Sequence, residues 1–192
     1  MVLAGLVGWQ GAMLGLLGLT AFLAAFFRDP ERQVPQAAGL VIAPADGRVI
    51  DVQAGVRVPE LPGAASRVSI FMSPFNVHVN RAPVAGTIRA VRHQAGKFHA
   101  AFSPKASADN ERNTILMDDE RGEHFLMVQI AGAMARRIVC YVAPDTRVER
   151  GARCGIIMFG SRVDLYVPES VSLWVRAGER LRAGESVIGV CQ

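Results

Sequence analysis

Ser161 is the residue best placed for covalent chemistry. It follows Gly160 in the run GARCGIIMFGSRVDLYVP. An apolar stretch able to form a buried strand precedes it (Ile156, Ile157, Met158, Phe159), and an alternating one follows (Val163, Leu165, Val167). A serine at a tightly bent strand junction has two chemical uses. It attacks a substrate, or it attacks its own chain, turning the 192-residue polypeptide into fragments 1–160 and 161–192 with Ser161 as a new end group. Either use needs a base. His78 lies in FMSPFNVHVNRAP, where alternation sets Asn76, His78 and Asn80 on one face and Phe75, Val77 and Val79 on the other. A polar triplet between two prolines reads as a site wall; a solvated strand histidine is the plainer alternative. His93 and His124 have charged neighbours and read as exposed, whereas His99 belongs to a polar loop where a substrate-facing role is open. Asp46 sits between Pro44 and Gly47, and either satisfies N–H groups of its own turn or orients His78 if two turns stack. Asp46, His78 and Ser161 are the ingredients of an Asp-His-Ser arrangement. A G-x-S-x-G nucleophile elbow is absent, Val163 standing where its last glycine would be.

The elements that must carry these residues are marked by Gly and Pro. LVIAPADGRVIDV (40–52) and NRAPVAGTIRAV (80–91) are variants of one unit: Ala-Pro, two residues, Gly, then alternating apolar positions. Pro44 and Pro83 open the turns, and Gly47 and Gly86 are expected to supply positive φ before the next strand. A looser pair follows in TRVERGARCG (146–155) and WVRAGERLRAGESVIGV (174–190). This pattern predicts a mainly β domain, a compact sandwich or barrel of pseudo-repeated Pro-x-x-Gly strand units, with little helix outside the N-terminal segment. The polar, aperiodic run FHAAFSPKASADNERN (98–113) predicts a long functional loop.

Met1 to Phe27 contains no charged residue, and its length suits a membrane helix rather than a signal peptide, which would carry a basic start and a cleavage pattern. A buried hairpin or core helix is the alternative. Pro30 and Pro35 then open an extended linker over 28–39, leaving 40–192 as the catalytic domain. Arg28 and Arg32 directly after the span place that domain on the cytoplasmic side of the cell membrane.

Composition narrows the function classes. Net charge is +4, and only Lys97 and Lys105 among the 21 basic residues are lysines, so an arginine-rich domain tied to a bilayer is drawn to anionic membrane. No basic run interleaved with aromatics points to nucleic acid. Cys140, Cys154 and Cys191 lack ligand spacing, the histidines are too weakly patterned for a metal, and no phosphate loop, dinucleotide turn or zinc-protease motif is present. A pyridoxal enzyme using Lys97 or Lys105 stays open on these grounds. So do a membrane-anchored serine hydrolase and a non-enzymatic, membrane-tethered β domain that binds anionic lipid.

Five stretches together resemble the phosphatidylserine decarboxylase family in its short, membrane-anchored form: FFRDPER (26–32), APADGRV (43–49), FMSPFNVHVNRAPVAG (71–86), GKFHAAFSPKASADNERN (96–113) and GARCGIIMFGSRVDLYVP (151–168). The resemblance implies a proenzyme that cuts itself at Gly160-Ser161 into a β chain, 1–160, and an α chain, 161–192, which begins with a pyruvoyl group made from Ser161. It implies decarboxylation of phosphatidylserine to phosphatidylethanolamine, and further homo-oligomerisation. His78, oriented by Asp46, is the expected base. Phe75, Asn76, His99, Asn110 and Arg112 are the expected substrate side, with Arg112 as phosphate ligand or loop organiser, and Phe71, Phe75 and Phe159 are expected to desolvate the carboxylate. Longer members carry two histidines in the segment matching FNVHVNRAP, and this chain has only His78.

Overall fold

The computed structural model describes residues 2–103, 106–133, 137–158 and 160–192, without the side chains of 2–8, 107 and 108. Phe159 and Lys105 lie outside the described residues. The chain runs from α1 (Val2–Phe26) through β1 (Leu40–Ile42), β2 (Gly47–Arg57), β3 (Ala64–Met72), β4 (Val79–Arg81) and β5 (Gly86–Gln94) to a single turn, α2 (Ala106–Asp109). It continues through β6 (Arg112–Asp119), β7 (His124–Ile130), β8 (Ile138–Cys140), β9 (Arg147–Val148) and β10 (Arg153–Ile157). The last strands are β11 (Ser161–Pro168), β12 (Val171–Leu173), β13 (Arg180–Leu181) and β14 (Val187–Cys191).

Eight strands form a curled antiparallel sheet in the order β13-β2-β3-β11-β7-β6-β5-β9, accompanied by the three-stranded sheets β1-β14-β12 and β4-β10-β8. The expected mainly β architecture is present. Period-two alternation in β11 sends Val163, Leu165 and Val167 inward, where they meet Ile70, Ile115 and Met127 in a continuous apolar core. The opposite face of β11 buries an ion pair: the Arg162 guanidinium donates to both carboxylate oxygens of Asp164 at 2.6 and 3.1 Å and to Ser69 Oγ at 2.8 Å.

The two Ala-Pro units pack against each other as a pseudo-symmetric pair. Arg81 N–H donates to the Pro44 carbonyl and Ile42 N–H to the Pro83 carbonyl, each donor lying two residues before its own unit's proline. The later Gly units complete the pattern, with Gly151 N–H bonded to the Ala82 carbonyl and Gly184 N–H to the Ala43 carbonyl. Gly47 and Gly86 are needed for a different reason from the one expected. Neither has positive φ; instead, a Cβ on Gly47 would overlap the Phe71 carbonyl, and one on Gly86 the Asp118 carbonyl. Close backbone approach in the β2–β3 and β5–β6 pairs excludes a side chain there.

α1 is long and apolar enough to cross a bilayer, and most of its side chains face outward rather than into the domain. The segment after it has no regular strand, yet charge fixes it to the domain. Asp29 accepts from Arg81 and Arg153, Glu31 accepts from Arg153, and Arg32 pairs with Asp46 and Glu185.

Candidate active site

Ser161 opens β11, and its side chain is fully buried. The residue before it, Gly160, has φ 61°, a conformation that costs glycine nothing and a Cβ-bearing residue a good deal. Its carbonyl oxygen sits where a Cβ of Gly132 would be, so only the lack of a side chain at 132 admits the Gly160–Ser161 peptide group. The Ser161 hydroxyl donates to Met72 Sδ at 3.5 Å. A thioether is a weak acceptor, so this bond holds the proton loosely.

His78 is buried as well, on the approach to β4. Its Nδ1 lies 2.9 Å from the Asn76 carbonyl; a carbonyl only accepts, so Nδ1 carries the proton and Nε2 is left with a lone pair. Nε2 is itself buried and has no hydrogen-bond partner among the described residues. Desolvation lowers the imidazole pKa to about 4, with the Arg28 charge pushing the same way and the Asn76 carbonyl and Asp46 charge opposing. The result is a neutral imidazole with an available basic nitrogen. Phe26, in the last turn of α1, closes over the ring at 4.2 Å between centroids, and Phe22 meets Phe75 edge-on.

Asp46 does not have the partner the sequence suggests. Its carboxylate accepts two bonds from Arg32 at 3.1 Å and the Ala183 N–H at 2.7 Å, and makes no hydrogen bond to His78. It ties the linker, the first Pro-x-x-Gly turn and the C-terminal segment together, and reaches His78 only through its field. Arg32, the second arginine of FFRDPER, takes the carboxylate by engaging both of its oxygens.

The expected substrate residues divide. Asn76 is a turn residue, its Oδ1 accepting from the N–H and hydroxyl of Ser73. Phe75 is 77% exposed at the foot of α1, so it does not wall a buried pocket; half-buried Phe71 packs edge-on against exposed Phe102. Asn110 pins the 98–113 loop, which holds the short helix α2: its side chain exchanges bonds with both backbone groups of His99 and donates to the Ala131 carbonyl, all at 2.8 Å. His99 faces Asp109 at 3.6 Å, and Arg112 donates to Gln94. A cleft of about 510 Å³ lined by Gln36, Arg121 and Arg150 shares no residue with this region.

Sequence reasoning set Asn80 in a polar wall but missed the chain of buried amides it completes, which ends at Met72 Sδ, the acceptor of the Ser161 hydroxyl. Asn113 Nδ2 donates to Gln129 Oε1 at 2.9 Å, Gln129 Nε2 donates to Asn80 Oδ1 at 2.8 Å, and Asn80 Nδ2 reaches Met72 Sδ at 3.6 Å. The available signal was polar residues at inward positions of apolar strands, Asn113 in RNTILMDD and Gln129 in HFLMVQI.

Ser161 and His78 are both buried and share no hydrogen bond; comparison with known proteins places the chain among the carboxy-lyases. A family model described as phosphatidylserine decarboxylase matches residues 19–189. A phosphatidylserine decarboxylase proenzyme of Ruegeria pomeroyi is 46% identical over 189 residues, covering 97% of this chain and 84% of that protein. The proenzyme of Nitratidesulfovibrio vulgaris is 51% identical over 180 residues, covering 94% and 82%, and that of Saccharopolyspora erythraea is 48% identical over 185 residues, covering 94% and 78%. The chain belongs to the phosphatidylserine decarboxylase family.

Proposed function

We propose that the chain is a self-processing, pyruvoyl-dependent decarboxylase that cuts itself between Gly160 and Ser161. The observation that carries this reading is a fully buried serine hydroxyl, weakly held by a thioether, directly after a glycine at φ 61°. His78 Nε2 takes the Ser161 hydroxyl proton as Oγ bonds to the Gly160 carbonyl carbon. The peptide C–N bond then breaks and the nitrogen takes up a proton, leaving an ester. Loss of the Ser161 α-proton breaks the Cβ–Oγ bond, and Oγ departs within the new carboxylate of Gly160. Hydrolysis of the dehydroalanine end releases ammonia and leaves the pyruvoyl end.

The start of β11, between β3 and β7, would hold that group, with Met72 and Asn80 beside it. When in place it supplies a ketone that condenses with the substrate amine and accepts the electrons of the departing carboxylate. Here α1 anchors the domain to the cytoplasmic face of the membrane, 28–39 straps it to the anchor, and 40–192 catalyses. Exposed Phe75 and Phe102 lie toward lipid, and His99, Asn110 and Arg112 belong to the headgroup side. Asp46 contributes by fixing the fold and through its charge rather than by contact with the imidazole.

Intact-mass analysis should find fragments 1–160 and 161–192, the second about 17 Da lighter than a chain beginning with serine. Ser161→Ala should stay whole and release no carbon dioxide from phosphatidylserine. A preparation that decarboxylates while remaining a single uncut chain would overturn the reading.

A further inference from the structure

The buried amides Asn113, Gln129 and Asn80 form one layer at the end of the core where β11 begins. Register places Gln129 and Asn113 there: Ser161 faces Met72 on β3, Val163 faces Gln129 on β7, and Gln129 faces Asn113 on β6. Asn80 joins from β4, in the neighbouring sheet, through its side chain. All three amides are at most 3% exposed, within a sheet interior that is otherwise apolar. Burying a carboxamide costs free energy unless its groups are bonded, and an apolar residue would fill the same position without that cost. The chain nevertheless keeps three in series; Gly155 lies beside them, where a Cβ would overlap the Val139 carbonyl and press on Gln129 Nε2 at 3.0 Å.

The direction of the series matters. Gln129 donates to Asn80 Oδ1, which turns the Asn80 NH2 group away from Gln129 and toward Met72 Sδ. The Ser161 hydroxyl donates to the same sulfur. A fixed N–H donor and the reacting hydroxyl therefore share one weak acceptor, and nothing in that sulfur competes strongly with Oγ for the donor.

We propose that Asn80 is the hydrogen-bond donor to Ser161 Oγ during self-cleavage, and that Gln129 and Asn113 are positioning residues that aim it. The proposal rests on the self-processing reading above. Oγ takes on negative charge twice in that sequence. It does so first as its proton leaves for the base, and again when the Cβ–Oγ bond breaks and Oγ leaves in the Gly160 carboxylate. An amide N–H held in a dry site serves both moments without itself changing protonation state, and its orientation is set before reaction begins.

The test follows cleavage of the full-length chain during cell-free synthesis in detergent, by the appearance of fragment 161–192. Asn80→Ala should slow it by about 100-fold, the scale seen for removal of one preorganised donor. Gln129→Leu should slow it less, and adding Gln129→Leu to Asn80→Ala should cost no further rate, because Gln129 acts through Asn80. Thermal melting of the same variants in a Ser161→Ala background measures their structural cost separately. If Asn80→Ala does not fold, Gln129→Met, which keeps side-chain length and removes the donor to Asn80, tests the same aim and should also slow cleavage. Folded Asn80→Ala cutting at the wild-type rate would overturn the inference, as would rate losses that multiply in the double variant. A wild-type chain that never cuts would instead sink the self-processing reading on which it stands.

Discussion

At His78, burial and one hydrogen bond decide tautomer and charge together. The Asn76 carbonyl takes the Nδ1 proton, and desolvation keeps the ring neutral down to about pH 4, so Nε2 is a base across the physiological range. The pH dependence follows in sign. An unfolded imidazole titrates near 6.5, and between about 6.5 and 4 the unfolded chain takes up a proton that the folded chain refuses. The stability owed to this residue is complete above about 6.5 and falls as pH drops toward 4. Urea unfolding of the uncut Ser161→Ala chain should show that decline, and His78→Ala in the same background should flatten it. Cleavage of the wild-type chain should likewise persist below pH 6.5 and fail only near 4; an acid limb at the ordinary histidine value would contradict the burial argument. His78 was legible as a candidate base because imidazole between two prolines is a strong local signal. Asp46 was misread because its true partner, Arg32, lies in a linker whose charges looked topogenic, and no spacing rule reveals an ion pair between a strap and a turn.

Among the elements, α1 packs its C-terminal end onto the domain. From Trp9 onward most of its side chains are exposed, whereas Phe26 is 1% exposed and packs on the His78 ring. The uncharged run predicted the helix, but apolarity alone does not say which phenylalanine meets lipid and which meets an imidazole. Because the last turn roofs the base, two truncations should behave differently. Removing residues 1–21 leaves Phe22 and Phe26 in place, and this shortened chain should still cut at Gly160–Ser161. Removing 1–27 opens His78 to water, and Phe26→Ala should do the same at a stability cost of about 3 kcal/mol or more, typical of a large aromatic lost from a packed site. Both should slow cleavage and move its acid limb upward toward the ordinary histidine range. Fragment yield against pH separates the two cases; equal rates in both truncations would reduce the helix to an anchor. Likewise, the polar 98–113 run was readable as a long loop, while the pinning of His99 and Ala131 by Asn110 depends on side-chain contacts that composition does not encode.

For the molecule as a whole, the internal repeat was the most informative long-range signal, because Ala-Pro followed by Gly recurs where two turns exchange backbone bonds. The amide layer left a much weaker trace, since which inward positions share a layer depends on the register of four strands. β11 lies between β3 and β7, so a cut before Ser161 leaves both fragments in one core. Function at this scale concerns where the site meets its lipid. Phe75 contacts Phe22 of α1, and Phe102 contacts Phe71 of β3; both are mostly exposed, and exposed aromatic rings suit the interfacial zone of a bilayer. If they seat the domain against the bilayer, Phe75→Ser with Phe102→Ser should leave cleavage and thermal stability nearly unchanged, because neither ring is in the core. Carbon dioxide release from phosphatidylserine vesicles should fall severalfold, while release from detergent-dispersed substrate falls little. Equal losses in vesicles and detergent would assign the rings to the substrate pocket itself, and no loss in either would leave α1 alone responsible for bringing the site to the lipid.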